Sequence, residues 1–114
     1  MELEIIERAD DVTLVALVGK LDVSGLRQVD VKFQAVTAAQ GRPAIVDLSR
    51  LEYIASLGIG MLISSAQALK RKGHRMVLVG ARATVDTALR TSGIDQAITM
   101  VGDVEDAMRV LGRA

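Results

Sequence analysis

Ala44-Ile45-Val46-Asp47-Leu48-Ser49 and Ile54-Ala55-Ser56-Leu57-Gly58-Ile59-Gly60 are the two segments whose reading decides the fold. The first is short, apolar and β-prone, as expected of a strand covered on both faces. In the second, Ile59, Leu62, Ile63, Ala66 and Leu69 recur at steps of three and four. That spacing predicts a helix from about Leu57 to Lys72, stopped by Gly73. Ser49 to Ile54 reads as the loop between them, and Arg75 to Val79 as another buried-type strand. Strand, helix and strand make a unit whose strands lie parallel, joined by a right-handed crossover.

Working outward, Leu3, Ile5 and Ile6 form a short run ending at Arg8, with Ala9-Asp10-Asp11 as a turn before the β-prone Val12 to Val18. Two such strands around a polar turn predict an antiparallel hairpin. Gly19-Lys20-Leu21-Asp22-Val23-Ser24 leads into a helix with Leu26, Val29, Phe33 and Val36 on one stripe, capped by Asp22 or Ser24 and ended before Gly41 and Pro43. Toward the carboxyl end, Thr84 to Ser92 reads as a helix with Gly93 after its last turn, and Ala97 to Val101 as a strand. Asp103 then caps a helix carrying Val104, Ala107, Met108 and Leu111 inward. The order is β-β-α-β-α-β-α-β-α: one α/β domain over residues 1–114, with no linker or internal repeat.

Composition narrows the function classes. Hydrophobic residues make up 50% of the 114, but Phe33 and Tyr53 are the only aromatics, so the core is built from aliphatic side chains and methionine. Fourteen basic residues balance fourteen acidic ones. A nucleic-acid domain is expected to show a basic excess or stripe joined to stacking aromatics, so direct nucleic-acid binding is not expected. No cysteine is present, which excludes a disulfide framework, an iron–sulfur cluster and a thiol nucleophile. Met1-Glu2-Leu3-Glu4 shows no signal-peptide pattern, and the apolar stretch Ile54 to Ile63 is too short to span a bilayer. A cytoplasmic protein without membrane insertion is the expectation.

Gly19-Lys20-Leu21-Asp22, Val46-Asp47-Leu48-Ser49 and Ile54-Ala55-Ser56-Leu57-Gly58-Ile59-Gly60, in this order and spacing, resemble the STAS domain of bacterial anti-sigma factor antagonists, over essentially the whole chain. The resemblance implies a mixed, mainly parallel sheet in sequential order, with β-α repeats and an antiparallel first strand. It also implies a regulatory cycle. In typical members the second helix starts at Asp-Ser-Ser/Thr-Gly, a partner kinase phosphorylates the second hydroxyl residue, and the unphosphorylated antagonist binds that kinase, itself an anti-sigma factor. Here Gly58 matches the motif glycine, Ser56 the first serine, and Ala55 replaces the aspartate. Leu57 falls where the phosphorylated hydroxyl belongs, and leucine has no oxygen to accept a phosphoryl group.

Each marked residue carries two readings. Ser56 is either the N-cap of the second helix or a relocated phosphorylation site near free N–H groups and the helix dipole. Leu57 either buries itself against the preceding loop or joins Ile59 and Met61 in an exposed apolar contact patch. Gly58 and Gly60 allow close approach of a partner's backbone or tight packing of helix on sheet. Asp22 and Asp47 are expected at the ends of neighbouring parallel strands, as turn residues or, for Asp22, in partner recognition. Lys70, Arg71, Lys72, His74 and Arg75 form the one basic cluster, a solvated helix end or a patch for an acidic partner.

Nothing here assembles a catalytic site. There is one histidine, no metal-ligand pattern, no Gly-x-Ser-x-Gly and no phosphate-binding loop, so neither an enzyme nor a cofactor is expected. The expectation is an anti-sigma factor antagonist-like regulator that binds a kinase-type anti-sigma factor through Asp22, Ser56, Leu57, Gly58, Ile59 and Met61, without the usual phosphoserine switch. The alternatives are an accessory subunit or small-ligand module of a larger assembly such as a lipid transporter, and a switch relocated to Ser56. Neutral charge and an apolar patch also permit a homodimer.

Overall fold

The computed structural model describes residues 1–6 and 11–113. The turn expected at Ala9-Asp10-Asp11 therefore lies, except for Asp11, outside the described residues, as does the end of the first run at Arg8. The elements are β1 (Glu2–Ile6), β2 (Thr13–Leu21), α1 (Val23–Val36), β3 (Ala44–Asp47), β4 (Leu51–Ile54), α2 (Ser56–Arg71), β5 (Met76–Val79), α3 (Ala83–Thr91), β6 (Thr99–Val101) and α4 (Val104–Val110). The main sheet runs β1-β2-β3-β5-β6. β1 is antiparallel to β2 and every other pairing is parallel, as the resemblance implied.

The segment from Ser49 to Ile54 is not a plain loop. Leu51–Ile54 forms β4, parallel to the last residues of β2 with Leu21 opposite Ile54. The Thr13 N–H bonds the Pro43 carbonyl at 2.9 Å and the Gly19 N–H bonds the Arg50 carbonyl at 3.1 Å, so β4 takes over beside β2 where β3 stops. The register slips between Gly19 and Lys20, and Gly19 takes up the irregularity with φ +106°, a backbone conformation costly for any residue with a Cβ. Burial drives this pairing. Leu51 and Ile54 go into the core while Glu52 and Tyr53 between them stay exposed, an arrangement without the strict alternation that marks a strand in sequence. A short 3₁₀ turn, Ile94–Gln96, also occupies the approach to the last strand, which begins at Thr99 and not at Ala97.

Two apolar layers sandwich the sheet. On one face Leu17, Val46 and Leu78 meet Phe33 of α1, Leu62 and Leu69 of α2, and Leu89 of α3. On the other, Leu14, Ile45, Val77 and Val79 meet Ala107 and Met108 of the short α4. Each fully buried Leu or Phe contributes roughly 1.5–3 kcal/mol, an upper bound because the unfolded chain already hides some apolar surface. The two faces explain why β3 and β5 are apolar throughout.

Candidate partner-binding site

The site is built where β2 and β4 end together. Leu21 faces Ile54 in the register, and the Ala55 N–H donates to the Leu21 carbonyl at 2.9 Å. The next residues of both strands open helices, so α1 and α2 begin side by side at the carboxyl end of the sheet. Asp22 is the N-cap of α1: its backbone is extended and its Oδ1 accepts the Gly25 N–H at 2.8 Å. Ser24, the other candidate cap, lies inside the helix. Gly25 is required there, since a Cβ would stand 2.1 Å from the Lys20 carbonyl oxygen.

The start of α2 differs from the sequence expectation. Its N-cap is Ala55, with extended φ and ψ and no side-chain hydrogen bond, and Ser56 is the first helical residue. The ladder bond from Ala55 to Leu21 holds Ala55 extended, which moves the cap position back by one. Ser56 is therefore not the cap, and its hydroxyl stands on an exposed residue.

Leu57 is 58% exposed, so it does not bury itself against the loop. Ile59 is half-buried and packs on the core. Met61 is 5% exposed and belongs to that core, so its expected place in an exposed patch is corrected. Leu57 thus stands clear of the sheet, although Met61, one turn further along the same side of α2, is buried. Gly58 is also buried and is no contact surface for a partner. A Cβ there would stand 2.8 Å from Leu21 Cδ2 and 3.1 Å from Ile54 Cγ1, so tight helix–sheet packing accounts for this glycine. Gly60 faces open space, and packing does not account for it.

Two residues at this end were not singled out from sequence. Val23, 47% exposed, follows the α1 cap, and Tyr53, 51% exposed, sits on β4 just before α2. With Leu57 they give the carboxyl end of the sheet three exposed large apolar side chains. The only available signal was position: a first-turn helix residue and a tyrosine next to a glutamate both favour solvent.

The two aspartates are not gathered. Asp47 faces Ala16 and Val79 in the register, five residues short of Leu21 along β2, or roughly 17 Å of strand. Its Oδ1 accepts the Ser49 N–H at 2.8 Å, a turn role. Nearby, Arg50 reaches back to Glu4 of β1, with Nη2 2.5 Å from Oε2. This hydrogen bond and the Arg50 charge hold the Glu4 carboxyl below its usual pKa and raise that of Arg50. In the basic cluster, Lys72 Nζ donates to the Ala38 carbonyl at 2.7 Å and Arg75 Nη2 to Thr99 Oγ1 at 2.7 Å.

Solved structures share this architecture. An anti-sigma factor antagonist described as such for Thermotoga maritima superposes with a TM-score of 0.84 at 18% identity, covering 98% of this chain and 94% of that one. SpoIIAA of Bacillus, an anti-sigma factor antagonist in its unphosphorylated form, gives 0.77 at 21% identity, covering 97% of each chain. The murine anion transporter Slc26a9 gives 0.79 at 18% identity; the match covers 95% of this chain but 19% of the transporter. These similarities define the STAS fold. The profile of the family described as "Mlab, STAS domain" matches residues 6–102, and the chain belongs to that STAS family. Among the described residues no helix is long and apolar enough to cross a membrane.

Proposed function

We propose that this chain is a cytoplasmic protein-binding regulator of the anti-sigma factor antagonist type, which seats a kinase-fold anti-sigma factor on the paired starts of α1 and α2 and is not switched at position 57. The observation that carries this reading is Leu57, exposed at the position where the resembled family places its phosphorylated hydroxyl. An exposed leucine gives a partner apolar area to cover, on the order of 1 kcal/mol for about half a side chain. It also leaves nothing for a kinase to modify. Asp22, Ser56 and Leu57 form the contact, with Ile59 at its margin, while Gly58 and Met61 support it from beneath.

The test is recovery of a kinase-fold protein from extract of the source cells on immobilised chain. Leu57→Ser should retain the partner and become a phosphate acceptor for it; Leu57→Asp should weaken capture about tenfold or more, through loss of apolar contact and a charge in the interface. If no kinase-fold protein is captured, or the aspartate variant captures it equally well, the reading fails. Intact mass of protein from native cells, beside a Ser56→Ala variant, shows whether the exposed Ser56 hydroxyl carries the switch instead.

A second reading has its own support: the family description names Mlab, and in Slc26a9 the matched domain is a small part of a transporter. Under it the same end docks onto a larger assembly as an accessory subunit, and capture from extract should return membrane ATPase subunits.

A further inference from the structure

We propose that the groove between the carboxyl-terminal half of α2 and the turn leading into β6 is a second docking site, for an extended acidic segment of a partner protein. The groove encloses 410 Å³. One wall is the stripe Ile63, Ala66, Gln67 and Lys70, residues at helical spacing along roughly 10 Å of α2. Gln96 to Thr99 form the other wall, and buried Met76 and Ile98 give it an apolar floor.

Charge selects the occupant. Lys70, His74 and Arg75 line the groove, and among the described residues no aspartate or glutamate lines it. Since the whole chain carries 14 basic and 14 acidic residues, this is segregation of charge and not an excess. The ordinary explanation, cations complementing the α2 dipole, covers Lys70 and Arg71 in the last turn, where the dipole amounts to about half an elementary charge. It does not cover Arg75, which stands beyond the helix just before β5. Its guanidinium is held by the 2.7 Å bond to Thr99 Oγ1 on the neighbouring strand, which leaves further N–H donors for a carboxylate.

The amide walls argue against the other anionic occupants. A lipid acyl chain in the groove would strip water from Gln67, Gln96 and Thr99 without replacing their hydrogen bonds, which is unfavourable. A small inorganic anion would leave the apolar floor unused. An extended peptide satisfies all three features: its backbone bonds the amides, an apolar side chain covers Met76 and Ile98, and acidic side chains meet Lys70 and Arg75. Leu57 lies near the opposite end of the same helix, thirteen residues or roughly 20 Å from Lys70. It is six residues or about 9 Å from Ile63 at the near end of the groove, so the charged end of the groove stands apart from Leu57.

The test is fluorescence anisotropy of the full chain with a labelled peptide of alternating glutamate and leucine at low salt. A lysine–leucine peptide, inorganic phosphate and phosphatidylglycerol vesicles serve as comparators. The acidic peptide alone should saturate, with affinity falling as salt rises. Lys70→Glu with Arg75→Glu should weaken it about tenfold or more, both residues being exposed and the fold checked by circular dichroism. Leu57→Asp should leave it unchanged, which separates this site from the partner site above. Methyl resonances of Met76 and Ile98 should shift on binding. Lack of saturation, indifference to the double charge reversal, equal binding of the basic peptide, displacement by phosphate alone or preference for vesicles would each overturn the assignment.

Discussion

Gly58 and Gly60 lie two residues apart in one turn of α2, and alanine at each should move stability in opposite directions. In a helix interior alanine is favoured over glycine by about 1 kcal/mol, through the backbone entropy glycine loses on folding. At Gly60 a Cβ meets nothing within 4 Å, so Gly60→Ala should stabilise by roughly 0.5–1 kcal/mol. At Gly58 the same Cβ stands 2.8 Å from Leu21 Cγ and Cδ2. Leu21 is fully buried and its carbonyl accepts the Ala55 N–H, so relief of the clash has to move either the helix or a core side chain. Overpacking of that kind costs about 1–3 kcal/mol, which exceeds or cancels the helix preference and leaves a net loss of about 1 kcal/mol. The two variants should thus differ by about 2 kcal/mol, or roughly 8 °C in melting temperature for a domain of this size. Thermal and urea unfolding followed by circular dichroism measure both, with an unchanged urea slope confirming that stability alone has changed. A Gly58→Ala protein that melts at or above Gly60→Ala would refute the packing explanation for Gly58.

Other substitutions follow from the same geometry. Gly25→Ala places its Cβ 2.1 Å from the Lys20 carbonyl oxygen, a backbone atom, and should cost about 3 kcal/mol or more in urea unfolding, well beyond Gly58→Ala. Asp22→Ala removes the only side-chain cap of α1 and should lose about 1 kcal/mol, most of it restored by asparagine. The Glu4 carboxyl titrates below its usual range because Arg50 donates to it, so its contribution is present above about pH 4 and fades as pH falls through the depressed value. Melting temperature measured from pH 7 to pH 3 should therefore drop more for the wild-type chain than for Glu4→Gln; parallel curves would remove the Arg50 pair from the explanation.

The helices and the parallel strands could be read from spacing because their apolar residues repeat at periods set by local geometry. Leu26, Val29 and Phe33 named the inner face of α1, and Val29 and Phe33 are buried there. β4 escaped notice for the same reason. Leu51, Glu52, Tyr53 and Ile54 are four residues whose buried ends are three apart, so neither period shows, and their pairing depends on where β2 runs on past β3. The site was legible in its location and misjudged in its details. Gly58 and Met61 look like surface residues from their neighbours in sequence, yet both are buried, Gly58 in the same turn that exposes Leu57 and Met61 one turn further on. Which residue becomes the cap of α2 was likewise decided by the hydrogen bond that keeps Ala55 on the strand, a tertiary constraint invisible to a serine-based rule. The basic cluster was visible as a run, but its division between Lys72, bonded to the Ala38 carbonyl, and Arg75, bonded to Thr99, arises only from folding.

The scarcity of aromatic side chains gives the molecule an unplanned optical property. Without tryptophan, its near-ultraviolet emission comes almost entirely from a single phenol, that of Tyr53. This ring stands in solvent at the strand end from which α2 departs, while Phe33 is sealed in the interior. A tryptophan-free partner that covers Leu57 should alter the quantum yield of this one fluorophore and its quenching by iodide, with no dye attached. Occupancy of the distant groove should leave the emission unchanged, so one cuvette distinguishes the two ends of the domain.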